Sequence, residues 1–196
     1  MKAFLFVDWY KTLSFGHMWH KVESPLKESV QALVFGDDLT SGLGDNWMRG
    51  KATSEEINNF VARELGIAYK ELWGLFVESS QTIGVDQEAL ELLEKLQETY
   101  TTVLITDNMD SLTRFTAPAY KLEKVFTKIV NSYDVGVRKC DLDGAIFKLV
   151  TTDFKKSILL DDREDNCVLF EKLGGKSFQV TKEYTLVSHL TSLLYK

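Results

Sequence analysis

The stretch FLFVDWYKTL, residues 4–13, begins as an apolar run and changes character abruptly at Asp8. A short, continuous run of Phe, Leu and Val is typical of a strand that is buried on both faces of a parallel sheet. In an open α/β sheet, ligands bind beyond the carboxyl ends of such strands. The stretch therefore predicts a first buried strand that presents the Asp8 carboxylate at a binding edge.

Four later runs have the same character and indicate the rest of the sheet. Each is short and rich in β-forming residues, and segments with helical periodicity, such as residues 85–100 and 163–175, lie between them. Strand and helix in alternation predict an α/β fold with a doubly wound, mostly parallel sheet. The five predicted strands are AFLFV (3–7), TTVLIT (101–106), FTKIV (126–130), SILLD (157–161) and SFQV (177–180).

The segment between the first strand and the helix that starts near residue 86 contains no convincing strand. It has helical signals instead, among them ATSEEINNFVARELG (52–66), with capping residues at its start, an apolar face and Gly66 as a terminator. Because a structureless loop of this length is improbable, we expect a small helical insertion over the carboxyl end of the first strand. The predicted domains are an α/β core of residues 1–13 and 86–196, and a helical cap insertion of residues 14–85.

Polar side chains follow four of the predicted strands at the edge where ligands bind. Clustered carboxylates repel one another unless a cation offsets their charge. A lysine among them therefore indicates a functional site. The residues delivered to this edge are Asp8, then Thr106-Asp107-Asn108, then GVRKCD (136–141), then Asp161-Asp162.

Composition excludes several classes of protein. A net charge of −6 argues against a nucleic-acid binder, which concentrates Lys and Arg. No stretch approaches the roughly 20 apolar residues of a membrane helix, and the first apolar run is too short for a signal peptide. Cys140 and Cys167 fit neither a disulfide framework nor a zinc site. We expect a soluble, cytoplasmic protein, and nothing in the sequence indicates its oligomeric state.

The polar motifs that follow the predicted strands resemble, in their order along the chain, the motifs of the haloacid dehalogenase (HAD) superfamily. Members of this superfamily are mostly Mg-dependent phosphatases. The resemblance covers nearly the whole chain, and the helical segment is similar to the small cap of phosphatase branches with an insertion after the first strand. The matching residues are Asp8-Trp9-Tyr10-Lys11-Thr12-Leu13 for the first motif, Thr106 for the second, Lys139 for the third, and Asp161, Asp162 and Asn166 for the fourth.

The resemblance implies a Mg-dependent phosphohydrolase that acts on a small phosphorylated metabolite through an aspartyl-phosphate. It implies that Asp8 is the nucleophile, that Thr106 and Lys139 hold the transferring phosphoryl oxygens, and that Asp161 orients Lys139. The implied Mg²⁺ ligands are Asp8, the backbone carbonyl of Tyr10, and Asp162. The implied substrate contacts are Tyr10, Thr12 and Asn108.

Tyr10 departs from the pattern of the phosphatases, which place a second Asp at this position as general acid and base. A phenol with a pKa of about 10 is a poor base at neutral pH, so the resemblance implies a slow phosphatase. Lys11 replaces a residue that is usually small, often Gly, and is expected to affect the turn.

Tyr10 also leaves two alternative functions open. HAD dehalogenases carry D-x-Y-G-T-L, and in that branch Asp8 would displace halide from carbon without a metal. The acidic pair Asp161-Asp162 argues against this alternative, as does the lack of any arginine before Arg49. The second alternative is a catalytically impaired family member that binds a phosphorylated ligand or a protein partner.

Overall fold

A five-stranded, all-parallel sheet lies at the centre of the protein, for which a computed structural model describes residues 2–36 and 42–195. The strands are β1 (Ala3–Val7), β2 (Tyr100–Thr106), β3 (Lys128–Asn131), β4 (Ile158–Asp161) and β5 (Lys176–Gln179). Their order is β3-β2-β1-β4-β5, which places β1 in the middle. The predicted α/β fold with a parallel sheet is confirmed.

Ten α-helices accompany the strands in the part of the chain that the structure describes. They are α1 (Leu26–Phe35), α2 (Leu43–Met48), α3 (Ser54–Leu65), α4 (Tyr69–Gln81), α5 (Gln87–Leu96), α6 (Ala117–Tyr120), α7 (Ser132–Val135), α8 (Ala145–Lys148), α9 (Glu164–Lys172) and α10 (Leu186–Leu194). A single π-helical turn, Leu112–Thr116, precedes α6, and short 3₁₀ turns cover Leu122–Lys124 and Asp141–Asp143. None of the described helices has the length and apolar character that crossing a membrane requires.

Alternate side chains of β1 enter two different apolar clusters, because successive residues of a strand point to opposite faces. Leu5 and Val7 pack with side chains of α5 and α10 on one face of the sheet. Phe6 packs on the other face, where its ring meets Phe147 and Phe170 edge-on with centroids 5.8 and 5.4 Å away. Burial on both faces explains why the first strand is a continuous apolar run.

The four helices α1–α4 lie in the chain between β1 and α5 and share an apolar cluster of their own. Trp19, Trp47 and Phe76 are buried at its centre, with ring centroids 5.1–5.9 Å apart. The indole N–H of Trp47 donates to Asp110, which follows β2, at 2.7 Å and so ties this cluster to the sheet. That residues 14–85 form a separate cap domain stays a prediction.

The predicted bounds of the strands are accurate. The central strands β1, β2 and β4 are largely buried, whereas the edge strands β3 and β5 are partly exposed. β1 has the predicted bounds, and the other four strands differ by at most two residues at either end. The predicted helices at 52–66, 85–100 and 163–175 correspond to the shorter α3, α5 and α9. The sequence interpretation missed α10, although Thr185 caps it and its buried leucines have helical spacing.

Candidate active site

The carboxyl ends of β1, β2 and β4 lie at one edge of the sheet. The register of these strands determines which polar side chains lie next to one another there. Val7 pairs with Leu104 on one side and with Leu160 on the other. The backbone N–H of Asp8 donates to the carbonyl of Leu160 at 2.9 Å, so Asp8 continues the ladder by one residue. Asp8 and Asp161 therefore lie side by side at the ends of neighbouring strands.

Lys139 is fully buried and its ammonium group bridges these two carboxylates. Its Nζ lies 2.5 Å from Oδ1 of Asp8 and 2.6 Å from Oδ2 of Asp161. The other oxygen of Asp161 accepts hydrogen bonds from Nδ2 of Asn166 at 2.9 Å and from the backbone N–H of Arg163 at 3.0 Å. Because both oxygens of Asp161 are engaged, this carboxylate holds Lys139 in place and has little capacity left for another ligand.

Two residues that the sequence interpretation placed at the binding edge without a role, Asp107 and Arg138, hold the loop that carries Lys139. Asp107 accepts the backbone N–H of Lys139 at 2.9 Å and Nε of Arg138 at 3.3 Å. Arg138 also donates to Asp45 of α2 at 2.9 Å, so the loop is bound to the helices α1–α4 as well. Their position beside Thr106 and Lys139 in the sequence was the available signal.

Burial and mutual repulsion raise the pKa values of two carboxyl groups in this cluster. Burial raises the pKa of Asp8 to about 7; the Lys139 ammonium opposes this shift and the charge of Asp161 adds to it. Burial and the neighbouring charge of Asp161 likewise raise the pKa of Asp162. The neighbouring carboxylates outweigh burial at Lys139 and raise its pKa, so it stays protonated. The cluster therefore carries an excess of negative charge that a cation would relieve.

The donor set of this cluster fits a hard divalent cation. Asp8, Asp161 and Asp162 each offer an oxygen, and these oxygens lie within 4.8 Å of one another. Carboxylate oxygens are the ligands that Mg²⁺ prefers. The side chain of Asp162 makes no hydrogen bond or ion pair with another side chain in residues 2–36 and 42–195, whereas Asp161 is saturated. Asp8, whose Oδ1 contacts Lys139, and Asp162 are thus the carboxylates with an oxygen left to bind a metal.

A cavity of about 530 Å³ lies over the cluster and contains most of the predicted site residues. Thr106 lines it, and its hydroxyl makes no hydrogen bond to another residue in the described part of the chain, so it is free to contact a ligand. Asn108 lines it too, but its Oδ1 accepts the backbone N–H of Met109 at 2.9 Å. The lining includes Asp8, Tyr10, Thr106, Asn108, Lys139 and Asp162.

Thr12 lies outside the described lining of the cavity, contrary to its predicted contact with substrate. Its side chain is buried beneath the turn that follows β1, and its Oγ1 has no hydrogen-bond partner among the described residues. The turn places the side chain of Tyr10 at the cavity instead. The Tyr10 hydroxyl lies 3.3 Å from Nδ1 of His17, and burial raises the pKa of this tyrosine, as does the charge of Asp162.

Lys11 has a left-handed backbone conformation, with φ of 59°, in the tight turn after Asp8. This conformation costs an L-residue roughly 1–2 kcal/mol and glycine very little. We therefore expect Lys11→Gly to be more stable than Lys11→Ala by about 1 kcal/mol in urea unfolding. At Lys95, an exposed position in α5, the alanine variant should instead be more stable than the glycine variant by about 0.5–1 kcal/mol. The same order of Gly and Ala at both positions would contradict the prediction.

Comparison with known proteins finds similarity at the level of the fold. No protein-family model matches the sequence. A curated protein, drimenol cyclase drtB of Aspergillus calidoustus, is 24% identical over 187 residues, which are 92% of this chain and 35% of that protein. The chain thus spans about a third of the length of this relative.

Several solved structures superpose on most of the chain. A HAD family enzyme from Bacteroides thetaiotaomicron, in complex with magnesium and inorganic phosphate, has a TM-score of 0.70 and 19% identity over 92% of this chain and 95% of its own. A predicted HAD-like hydrolase from Porphyromonas gingivalis has a TM-score of 0.73 and 16% identity over 100% and 99%. A dehalogenase with an intermediate complex has a TM-score of 0.69 and 18% identity over 100% and 98%.

Proposed function

We propose that this protein, which has the fold of the HAD family, is a Mg-dependent phosphohydrolase. Its proposed substrate is a small phosphorylated metabolite. The observation that carries the proposal is the buried ammonium of Lys139 between Asp8 and Asp161, beside the carboxylate of Asp162, which no described side chain pairs. A fixed cation next to a nucleophilic carboxylate suits a phosphate group, because it offsets the charge of both. Tyr10 makes the proposed enzyme slow.

Magnesium would be held by Asp8 and Asp162, with the Tyr10 carbonyl as the third proposed protein ligand. When bound, it would neutralise the charge of the phosphate and lower the repulsion between that charge and Asp8. The magnesium complex of the Bacteroides enzyme supports the choice of metal, since its fold is the same. The donor chemistry of the two carboxylates in this chain supports it independently.

The proposed reaction uses the Asp8 carboxylate as the nucleophile. One oxygen of Asp8 forms a bond to phosphorus while the bond from phosphorus to the ester oxygen breaks, and the alcohol leaves after taking a proton from water. A second water then attacks phosphorus and gives a proton to the hydroxide that the first water left, the bond to Asp8 breaks, and phosphate is released. Lys139 and Thr106 would hold the phosphoryl oxygens during both steps. The sum is hydrolysis of one ester by one water.

The test is phosphate release from a panel of phosphate esters, measured with Mg²⁺ and with a chelator. We expect slow release that requires Mg²⁺ and returns when the metal is restored. The absence of release from every ester across the pH range would reject the phosphohydrolase. Stabilisation by a phosphorylated ligand without any turnover would favour the alternative of an impaired, ligand-binding protein.

Tyr10→Asp is expected to raise the rate of phosphate release by roughly 10²–10⁴-fold, the contribution of a general acid–base group. The new carboxyl group could protonate the leaving alcohol and then activate the attacking water. Tyr10→Asn is the matched control, because it removes the ring and adds no titratable group. If Tyr10→Asn accelerates the reaction equally, the ring obstructs the cavity and the missing acid is not the cause of the slow rate.

Metal-independent dehalogenation is the second candidate function. Tyr10 at the third position of the first motif favours it, and the dehalogenase with a TM-score of 0.69 has the same fold. The Asp162 carboxylate beside Asp8 opposes it, because a further partly buried carboxylate would destabilise a site that has no metal. Release of halide from short 2-haloacids in the presence of a chelator would establish this function.

A further inference from the structure

The cavity above Asp8 has two chemically different ends. Charged side chains at the carboxyl ends of the strands form one end, and it accounts for the binding of a phosphate. We propose that the other end binds an extended apolar group, so that the substrate is a phosphomonoester of an apolar alcohol and not of a sugar. This inference rests on the proposed function and specifies its substrate class.

Apolar side chains from separate parts of the chain form the second end. Met18 precedes α1, Phe35 ends α1, and Ile83 follows α4, while Met109 and Leu112 follow β2. Ile83, Met109 and Leu112 expose 6% or less of their surface, so they form a fixed wall. Met18, Phe35 and Met109 also pack in the same apolar cluster of the helices α1–α4.

The hydroxyl groups at this end donate their protons within the protein. The Ser80 hydroxyl donates to the carbonyl of Phe76 at 2.9 Å, and the Thr116 hydroxyl donates to the carbonyl of Ser80 at 2.7 Å. The Ser111 hydroxyl lies 3.5 Å from Sδ of Met18. A sugar bound here would lose hydrogen bonds to water and find few donors to replace them, which is unfavourable. An apolar chain would gain from the same transfer.

The whole cavity, its charged end included, has room for a group larger than phosphate. Pockets for small organic ligands measure roughly 300–1,000 Å³, and this cavity has about 530 Å³. Gln31 of α1 adds one amide to the lining, beside the three hydroxyl groups whose protons are already donated within the protein. Few polar groups on an apolar wall are typical of a site that selects by shape and apolar area.

The experiment compares ethyl, butyl, hexyl and octyl phosphate with glycerol phosphate and glucose phosphate. We expect kcat/KM to rise about three- to fourfold with each added methylene until the cavity is filled, which corresponds to about 0.8 kcal/mol per methylene. The octyl ester should exceed both polyol phosphates. Equal values along the alkyl series, or a preference for the polyol phosphates, would overturn the inference.

A binding measurement separates this inference from the proposed function. Alkylphosphonates of the same lengths have no ester oxygen to cleave, and calorimetry with Mg²⁺ gives their Kd for the unaltered protein. A Kd that falls with chain length supports the apolar site even if no ester is hydrolysed, in which case only the phosphohydrolase fails. A Kd independent of length overturns the apolar site, even if esters are hydrolysed.

Ala32→Phe identifies the wall that contacts the apolar group. Ala32 lines the cavity from α1, so a phenyl ring there should shorten the alkyl chain at which the gain in kcat/KM stops. Ala119→Phe is the matched control, because Ala119 is an exposed position of α6 outside the described lining and should leave the profile of chain lengths unchanged. A profile of Ala32→Phe identical to that of the unaltered protein would overturn the proposed location.

Discussion

Asp8→Asn is expected to abolish phosphate release and to stabilise the metal-free protein at pH 8. Loss of a covalent nucleophile costs a hydrolase on the order of 10⁴- to 10⁶-fold in kcat. The gain in stability has a separate cause. Burial raises the pKa of Asp8 from 3.8 to about 7 in the folded protein, so ionising this carboxyl group opposes folding.

The sign of the pH dependence follows from these two values. Below about pH 4, Asp8 is protonated in both states and contributes no penalty. As the pH rises from 4 to 7, the unfolded chain releases the proton while the folded protein retains it, so stability falls; above 7 the penalty is constant. Its full size is on the order of 4 kcal/mol, and an asparagine side chain avoids it.

Urea unfolding with a chelator, at pH 8 and at pH 5, measures this effect. The stabilisation by Asp8→Asn should shrink by more than half at pH 5. Glu94→Gln removes an exposed carboxylate from α5 and should change stability by no more than about 0.5 kcal/mol at either pH. A loss of stability at pH 8 in Asp8→Asn would show that the Lys139 contact outweighs the burial of the carboxylate.

Lys139→Met is expected to destabilise the metal-free protein by about 3–5 kcal/mol and to remove activity. The ammonium group is the one described cation that contacts both Asp8 and Asp161, and its removal leaves two buried carboxylates facing each other. Methionine keeps most of the length and apolar volume of the stem, so a cavity is not the cause of the loss.

A double variant tests this explanation. The substitution should cost clearly less in the Asp8→Asn background, because one of the two opposed carboxylates is then absent. Lys172→Met, at an exposed position of α9, should change stability by no more than about 0.5 kcal/mol. If Lys139→Met costs the same in the Asp8→Asn background as in the unaltered protein, repulsion between the carboxylates is not what destabilises the variant.

Local signals in the sequence were sufficient for the sheet and for the position of its binding edge. The central strands β1, β2 and β4 are largely buried on both faces, so their residue pattern does not depend on which strand is the neighbour. Asp8 and Asp161 directly follow or end such runs, and Thr106 ends another. Their approach to one another follows from the parallel sheet, since strands of one direction end at one edge.

Thr12 shows where local signals fail. The motif places it in the turn after β1, but the left-handed conformation at Lys11 directs Tyr10 to the cavity and leaves Thr12 buried. Asp107 and Arg138, in contrast, have a role at the site that local signals did not predict. They hold the Lys139 loop through contacts between residues about thirty positions apart, such as the Asp107–Lys139 hydrogen bond. The periodicity of the sequence does not predict such contacts.

The sequence by itself determined the class of fold, the five strands and the carboxylates at their ends, because each of these follows from burial and periodicity within a few residues. Only the tertiary structure decided that Lys139 bridges Asp8, 131 positions away, and that no described side chain pairs with Asp162. It also decided which apolar side chains of the helices face the cavity. Helical periodicity predicts a buried face, but whether that face meets another helix or a ligand depends on how distant segments pack.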